Sequence, residues 1–114
     1  MYKQGDIWLV DFDPSVGHEY QKVRPALILE NTGYISVGNL LTVVPISSQI
    51  QKSTLLDVLI PRNTTNRLLH DSIIKTRQIS SFDKRRFIKR IGFCQPDVLL
   101  TVLSNTSLFL KADQ

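Results

Sequence analysis

Cysteine occurs once in 114 residues, at Cys94. A single thiol closes no internal disulfide, so the fold does not depend on one, and such scarcity fits a reducing cytoplasm. The only histidines are His18 and His70. The soft metal ligands are therefore few and far apart in sequence, and neither a metal site nor a cofactor is expected. No apolar run reaches the ~20 residues of a membrane-spanning helix, so no membrane association is expected. The start, Met1-Tyr2-Lys3-Gln4-Gly5-Asp6, reads as the entry to a strand and not as a signal peptide. Internal repeats and low-complexity tracts are missing as well. What remains is one cytoplasmic domain over residues 1–114, long enough for one core and too short for two.

The composition, 42% hydrophobic and 21% charged, is that of an ordinary soluble protein. The net charge of +4 favours an acidic partner only weakly, but its distribution is sharper. Residues 1–31 hold five acids against three bases, whereas residues 75–90 hold seven of the fourteen bases: Lys75, Arg77, Lys84, Arg85, Arg86, Lys89 and Arg90. Such a cluster suits a phosphate backbone, and equally suits a solvated face on a turn and a short helix.

Short strand-like runs alternate with turn signals, which argues for a mostly β fold. Strands are expected near 6–13, 25–31, 40–47, 56–60 and 72–79, with a further one over 88–93. Leu40-Leu41-Thr42-Val43-Val44 is nearly continuous in apolar residues, as in a strand buried on both faces of a small closed barrel. Asp83-Lys84-Arg85-Arg86-Phe87 reads as a short helix capped by Ser81 or Asp83. Pro96-Asp97 opens a terminal helix, with proline in the first turn and an acid near the positive end of the dipole. Between Asp97 and Lys111 this helix carries no charge, so it is expected to pack on the barrel or to be buried in a homodimer contact.

Residues 5–25, GDIWLVDFDPSVGHEYQKVRP, carry the most information. A strand leads through a Pro14/Gly17 loop to Arg24-Pro25, which opens the next apolar run. The loop holds His18, Glu19, Tyr20, Gln21 and Lys22 on a rigid scaffold, where binding and catalytic groups concentrate. Pro25 restricts Arg24 to extended geometry, and an arginine held that way makes a good phosphate fork.

This segment closely resembles the opening of the MazF/PemK family of toxin ribonucleases. The matching residues are Gly5-Asp6, Asp13-Pro14, Gly17-His18-Glu19 and Arg24-Pro25, four elements in order over about twenty residues. Pro45 to Lys52 is also similar to the family, and the likeness weakens beyond residue 71. The resemblance implies a small SH3-like β-barrel with a C-terminal α-helix and a short additional helix. It also implies a homodimer and a toxin of a type II toxin–antitoxin system that cleaves single-stranded RNA sequence-specifically without metal and arrests growth. An acidic antitoxin is the implied partner, expected to lay an extended segment across the basic face, and the antitoxin complex is expected to bind DNA.

Cleavage of that kind needs a base for the 2′-hydroxyl, donors for the charge on the phosphorane oxygens, and an acid for the departing 5′-oxygen. Arg24 falls on the family's catalytic arginine and fits the stabilising role; its plain alternative is an ion pair with Glu19. Ser47 stands where the family places a functional threonine and keeps the hydroxyl; serines at strand ends also serve turns. Glu19 is either the base or a partner that orients Arg24, since a carboxylate beside a guanidinium is a poorer base. His18 is suited to either proton step.

Tyr20 offers a face for stacking on bases. If 72–79 is one strand, Lys75 and Arg77 share a face, with Thr76 and Gln78 on the other. Many relatives carry an acid just before the glutamine, where this chain has Arg77. Lys75, Arg77 and Gln78 are taken as RNA contacts, with His18 and Tyr20. A gyrase-poisoning toxin family shares the implied fold without catalysis, and fold alone does not fix function. Arg24, Glu19 and Ser47 occurring together favour the ribonuclease.

Overall fold

The computed structural model describes residues 1–12 and 23–114, so His18, Glu19 and Tyr20 lie outside the described residues. Among the described residues, seven strands form one antiparallel sheet: β1 (Asp6–Asp11), β2 (Val23–Ile28), β3 (Leu40–Ser47), β4 (Val58–Ile60), β5 (Ser72–Ile74), β6 (Ser80–Asp83) and β7 (Phe87–Phe93). One α-helix, α1 (Pro96–Phe109), ends the chain, with Pro96 in its first turn and Asp97 near its positive pole. The strand order is β4-β5-β3-β2-β1-β7, with β6 also paired to β3. The mostly β architecture with a C-terminal helix is as expected. A closed hydrogen-bonded barrel is not found among the described residues, because the end strands β4 and β7 are not paired with each other.

Strand β3 organises the sheet. Its residues 43–45 pair with β2, its first half with β6, and its last two residues with β5. Residues 41 and 43 enter one apolar cluster, with Val10, Ala26, Ile28 and Phe87. Residues 44 and 46 enter another, with Ile7, Leu27, Ile74 and Val102. The near-continuous apolar run of β3 therefore reflects a sheet packed on both faces, not barrel closure. Helix α1 closes the second cluster with Val102, Val98, Leu99 and Leu103, and leaves Leu100, Leu108 and Leu110 exposed.

Two expectations are corrected here. The run 72–79 is not one strand: β5 stops at Ile74, a 3-10 turn occupies Thr76–Gln78, and β6 resumes at Ser80. Along β3 the partner of Ile46 is Ile74, but that of Val43 is Ser80, so the register slips by three residues. The alternation that put Lys75 and Arg77 on one face ends with it. The short helix expected near 84 is found as a 3-10 turn, Lys84–Arg86, capped by Asp83, which accepts from the Arg85 N–H at 2.8 Å. The Arg85 guanidinium, bonded to the same carboxyl, holds Asp83 below its ordinary pKa.

Candidate active site

Antiparallel pairing of β1 with β2 sets Arg24 opposite Val10, and Pro25 opposite Leu9. From there the Arg24 side chain reaches across to β3, where its Nη2 donates to the Ile46 carbonyl at 3.2 Å. Its guanidinium carbon also lies 6.0 Å from the centre of the Phe12 ring. Ile46 immediately precedes Ser47, the last residue of β3. Two residues far apart in sequence are thus brought to one region of the sheet. Ser47 Oγ accepts from the Gln49 N–H at 3.1 Å, the turn role that a strand-end serine usually has. A hydroxyl that accepts this way keeps its own proton to donate.

Arg24 and Ser47 line one groove of about 910 Å³. Six Lys and Arg residues line it: Arg24, Lys52, Arg67, Lys75, Lys89 and Arg90; no Asp or Glu does so among the described residues. His70 and Gln78 also line it. Gln78 sits at the end of the 3-10 turn, where its N–H donates to the Lys75 carbonyl at 2.9 Å. Its Oε1 is buried with no hydrogen-bond partner among the described residues. Such an oxygen is ready for a donor brought by a ligand.

The expected RNA contacts of this region separate. Lys75 lines the groove but is engaged behind it: Nζ is 2.9 Å from Asp57 Oδ2 and 3.3 Å from the Lys52 carbonyl. Arg77 leaves the groove, and its guanidinium carbon lies 5.7 Å from the centre of the Phe109 ring on α1. The wider basic cluster disperses too. Lys84 Nζ donates to the carbonyls of Ile35 and Gly38, Arg86 to the Asp11 carbonyl, and Arg90 pairs with buried Asp6 at 3.2 Å. Of residues 84–90, Lys89 and Arg90 line the groove.

Lys52, Arg67 and His70 were not among the sequence candidates for the site. Lys52 is the last residue of the Pro45–Lys52 run that is similar to the family. Arg67 and His70 come from the long 61–71 connection, whose spacing carries no signal of what it covers.

A family model described as PemK-like, MazF-like toxin of type II toxin-antitoxin system matches residues 3–110. The chain belongs to this family. A relative, Endoribonuclease MazF9 of Mycobacterium tuberculosis (strain ATCC 25618 / H37Rv), is 34% identical over 97 residues, covering 81% of each protein. The crystal structure of MazF (Form-I) from Deinococcus radiodurans matches with a TM-score of 0.81 at 26% identity, covering 97% of both chains. An endoribonuclease in complex with its cognate antitoxin from a mycobacterial species has a TM-score of 0.78 over 100% of this chain and 99% of that one. At 12% identity, that likeness speaks for the fold alone. The resemblance carried by residues 5–25 thus extends to nearly the whole chain, and family membership makes this chain a toxin of the MazF endoribonuclease class.

Proposed function

We propose that the groove binds single-stranded RNA and cleaves it at particular sequences without a metal ion. The observation that carries this reading is the meeting of Arg24 and Ser47 in a groove lined by six Lys and Arg residues and no carboxylate among the described residues. A polyanion is the natural occupant of such a surface. In the reaction, the 2′-oxygen bonds to the adjacent phosphorus as the bond from phosphorus to the 5′-oxygen breaks. Arg24 and the Ser47 hydroxyl donate to the phosphorane oxygens and stabilise the charge that builds there. Arg24 also faces the departing oxygen. The proton of the 2′-hydroxyl passes to a base; Glu19 and His18 are candidates by their chemistry, Arg77 standing where many relatives carry an acid, and His70 by its place in the groove. The departing 5′-oxygen takes up a proton, so the products carry 2′,3′-cyclic phosphate and 5′-hydroxyl ends.

The same reading makes the chain a cytoplasmic toxin that arrests growth until an acidic antitoxin covers it. The exposed Leu100 and Leu108 of a helix whose other face is packed, with Leu110 just beyond its end, support a homodimer or antitoxin contact. The test is incubation of the purified protein with long single-stranded RNA in excess EDTA, with mapping of product ends. Discrete cuts leaving 5′-hydroxyl ends, lost in Arg24→Ala with native circular dichroism, are expected. Intact RNA from folded wild-type protein across several sequences overturns the nuclease reading.

A further inference from the structure

A second cavity, of about 330 Å³, opens beside the groove and shares Arg67, Arg90 and Ile91 with it. Its outer wall is Thr64, Thr65, Gly92 and Phe93. Three features show that it is built and not a gap between loose loops.

First, the turn before Arg67 lies directly on β7: a Cβ on Gly92 would stand 2.3 Å from the Thr65 carbonyl oxygen and 2.7 Å from that of Asn66. The Thr65 carbonyl also accepts from the Phe93 N–H at 3.1 Å. Second, the turn is braced from within. Asn66, 1% exposed, accepts through Oδ1 from the N–H groups of Asn63 and Leu68, and donates through Nδ2 to the Pro61 carbonyl. Third, this bracing holds Arg67 at φ +55°, a conformation that a long side chain rarely adopts and that costs roughly 1 kcal/mol or more. Arg67 is exposed and lines both cavities. On the opposite wall Arg90 is fixed by its Nε–Asp6 contact at 3.2 Å, with its guanidinium carbon 5.6 Å from the centre of the Phe93 ring.

An exposed arginine on a braced turn and a second one held by Asp6, both lining a nucleotide-sized cavity, suit a phosphodiester, with the Phe93 side of the wall beside the attached nucleoside. We infer that this cavity is a subsite for a nucleotide flanking the cleaved bond, in which Arg67 and Arg90 hold the phosphate of the strand as it leaves the Arg24 groove. The inference rests on the reading of the groove as an RNA site and extends it to a part of the surface that takes no part in the chemistry.

The test uses uncleavable 2′-O-methyl RNA strands of about four and about ten nucleotides, a span within the range of single-strand sites. Affinity is measured across a salt series. Arg67→Asn removes the guanidinium while tolerating the left-handed backbone, and Arg67→Lys retains a charge; Arg90 is left in place because it partners buried Asp6. For Arg67→Asn the expected result is about fivefold weaker binding of the long strand, as for one exposed charge contact. The salt slope should fall by about 0.7, as for one lost phosphate contact on a single strand. Because Arg67 also lines the groove, the short strand should lose some affinity, but clearly less than the long strand, and Arg67→Lys should recover most of the loss. Equal loss for both lengths, or undiminished binding of the long strand, overturns the subsite while leaving the groove reading intact. Failure of the wild-type protein to bind either strand overturns both.

Discussion

Replacing Lys75 by methionine tests what this residue does. Its ammonium faces Asp57, whose side chain is 0% exposed, while that of Lys75 is 13% exposed. Asp57 Oδ2 also accepts from the Thr54 N–H at 2.9 Å and from Thr54 Oγ1 at 3.0 Å. Lys75→Met removes the cation and leaves a buried carboxylate with two neutral donors. Breaking a buried pair from one side costs about 3–5 kcal/mol, and the remaining donors place this case near 3. At about 4 °C per kcal/mol for a domain of this size, Tm should fall by about 12 °C. Urea unfolding followed by Trp8 fluorescence measures the same loss, since that ring packs 4.7 Å from Tyr2 and 6.4 Å from Phe87 between centroids. Lys75→Met with Asp57→Leu removes both charges and should regain most of the stability, giving a coupling of about 2 kcal/mol. A Lys75→Met protein within about 0.5 kcal/mol of the parent would refute the buried pair and return Lys75 to the set of cations available to RNA.

Gly92→Ala forces a methyl against backbone that cannot turn aside, 2.3 Å from the Thr65 oxygen; thermal unfolding should show a loss of about 3 kcal/mol or more. Burial pushes the Cys94 thiol up from 9.0 to about 11. It should therefore resist alkylation at neutral pH until denaturant is added, and reaction at the rate of a free thiol would contradict its burial. Because the folded-state pKa is the higher one, this thiol's contribution is complete below pH 9 and is lost as pH rises from 9 through about 11. Denaturant titrations across that window should show stability declining. Arg24→Lys keeps a charge but loses the planar fork, so single-turnover RNA cleavage should fall about 10²-fold with Tm nearly unchanged; an undiminished rate would remove Arg24 from the chemistry.

Much of the fold is legible in the chain because its signals are local. Strand β3 occupies the expected 40–47, and Pro96-Asp97 marks the start of α1, since strand runs and helix caps are written in neighbouring residues. β6 escaped notice because Ser80-Ser81-Phe82-Asp83 has no apolar alternation and becomes a strand only by pairing with Leu40–Val43. The same non-local pairing hides the 3-10 turn at Thr76–Gln78, which reads as a continuation of β5. Of the candidate site, Arg24 and Ser47 are picked out by motif, and both line one groove. The basic run of residues 84–90 misleads, because charge in sequence does not reveal that Lys84, Arg85 and Arg86 bond to carbonyls and an acid of their own chain. Arg67 gave no signal at all: its direction comes from the Asn63–Asn66 turn resting on Gly92, a contact between segments far apart in the chain.

The three-residue slip along β3 has a consequence for how the molecule tolerates change. A single continuous partner strand would transmit any shift at one end of β3 to the other through its ladder. Here the ladder is cut at the 3-10 turn. The β5 side, with Ile74, belongs to the cluster beneath the groove, and the β6 side, with Phe82, packs against the other cluster. Residues 75–79 act as an expansion joint between the two halves. Substitutions at groove residues such as Gln78 are therefore separated from the pairing of Leu40–Val43 with Ser80–Asp83 on the far side of the sheet.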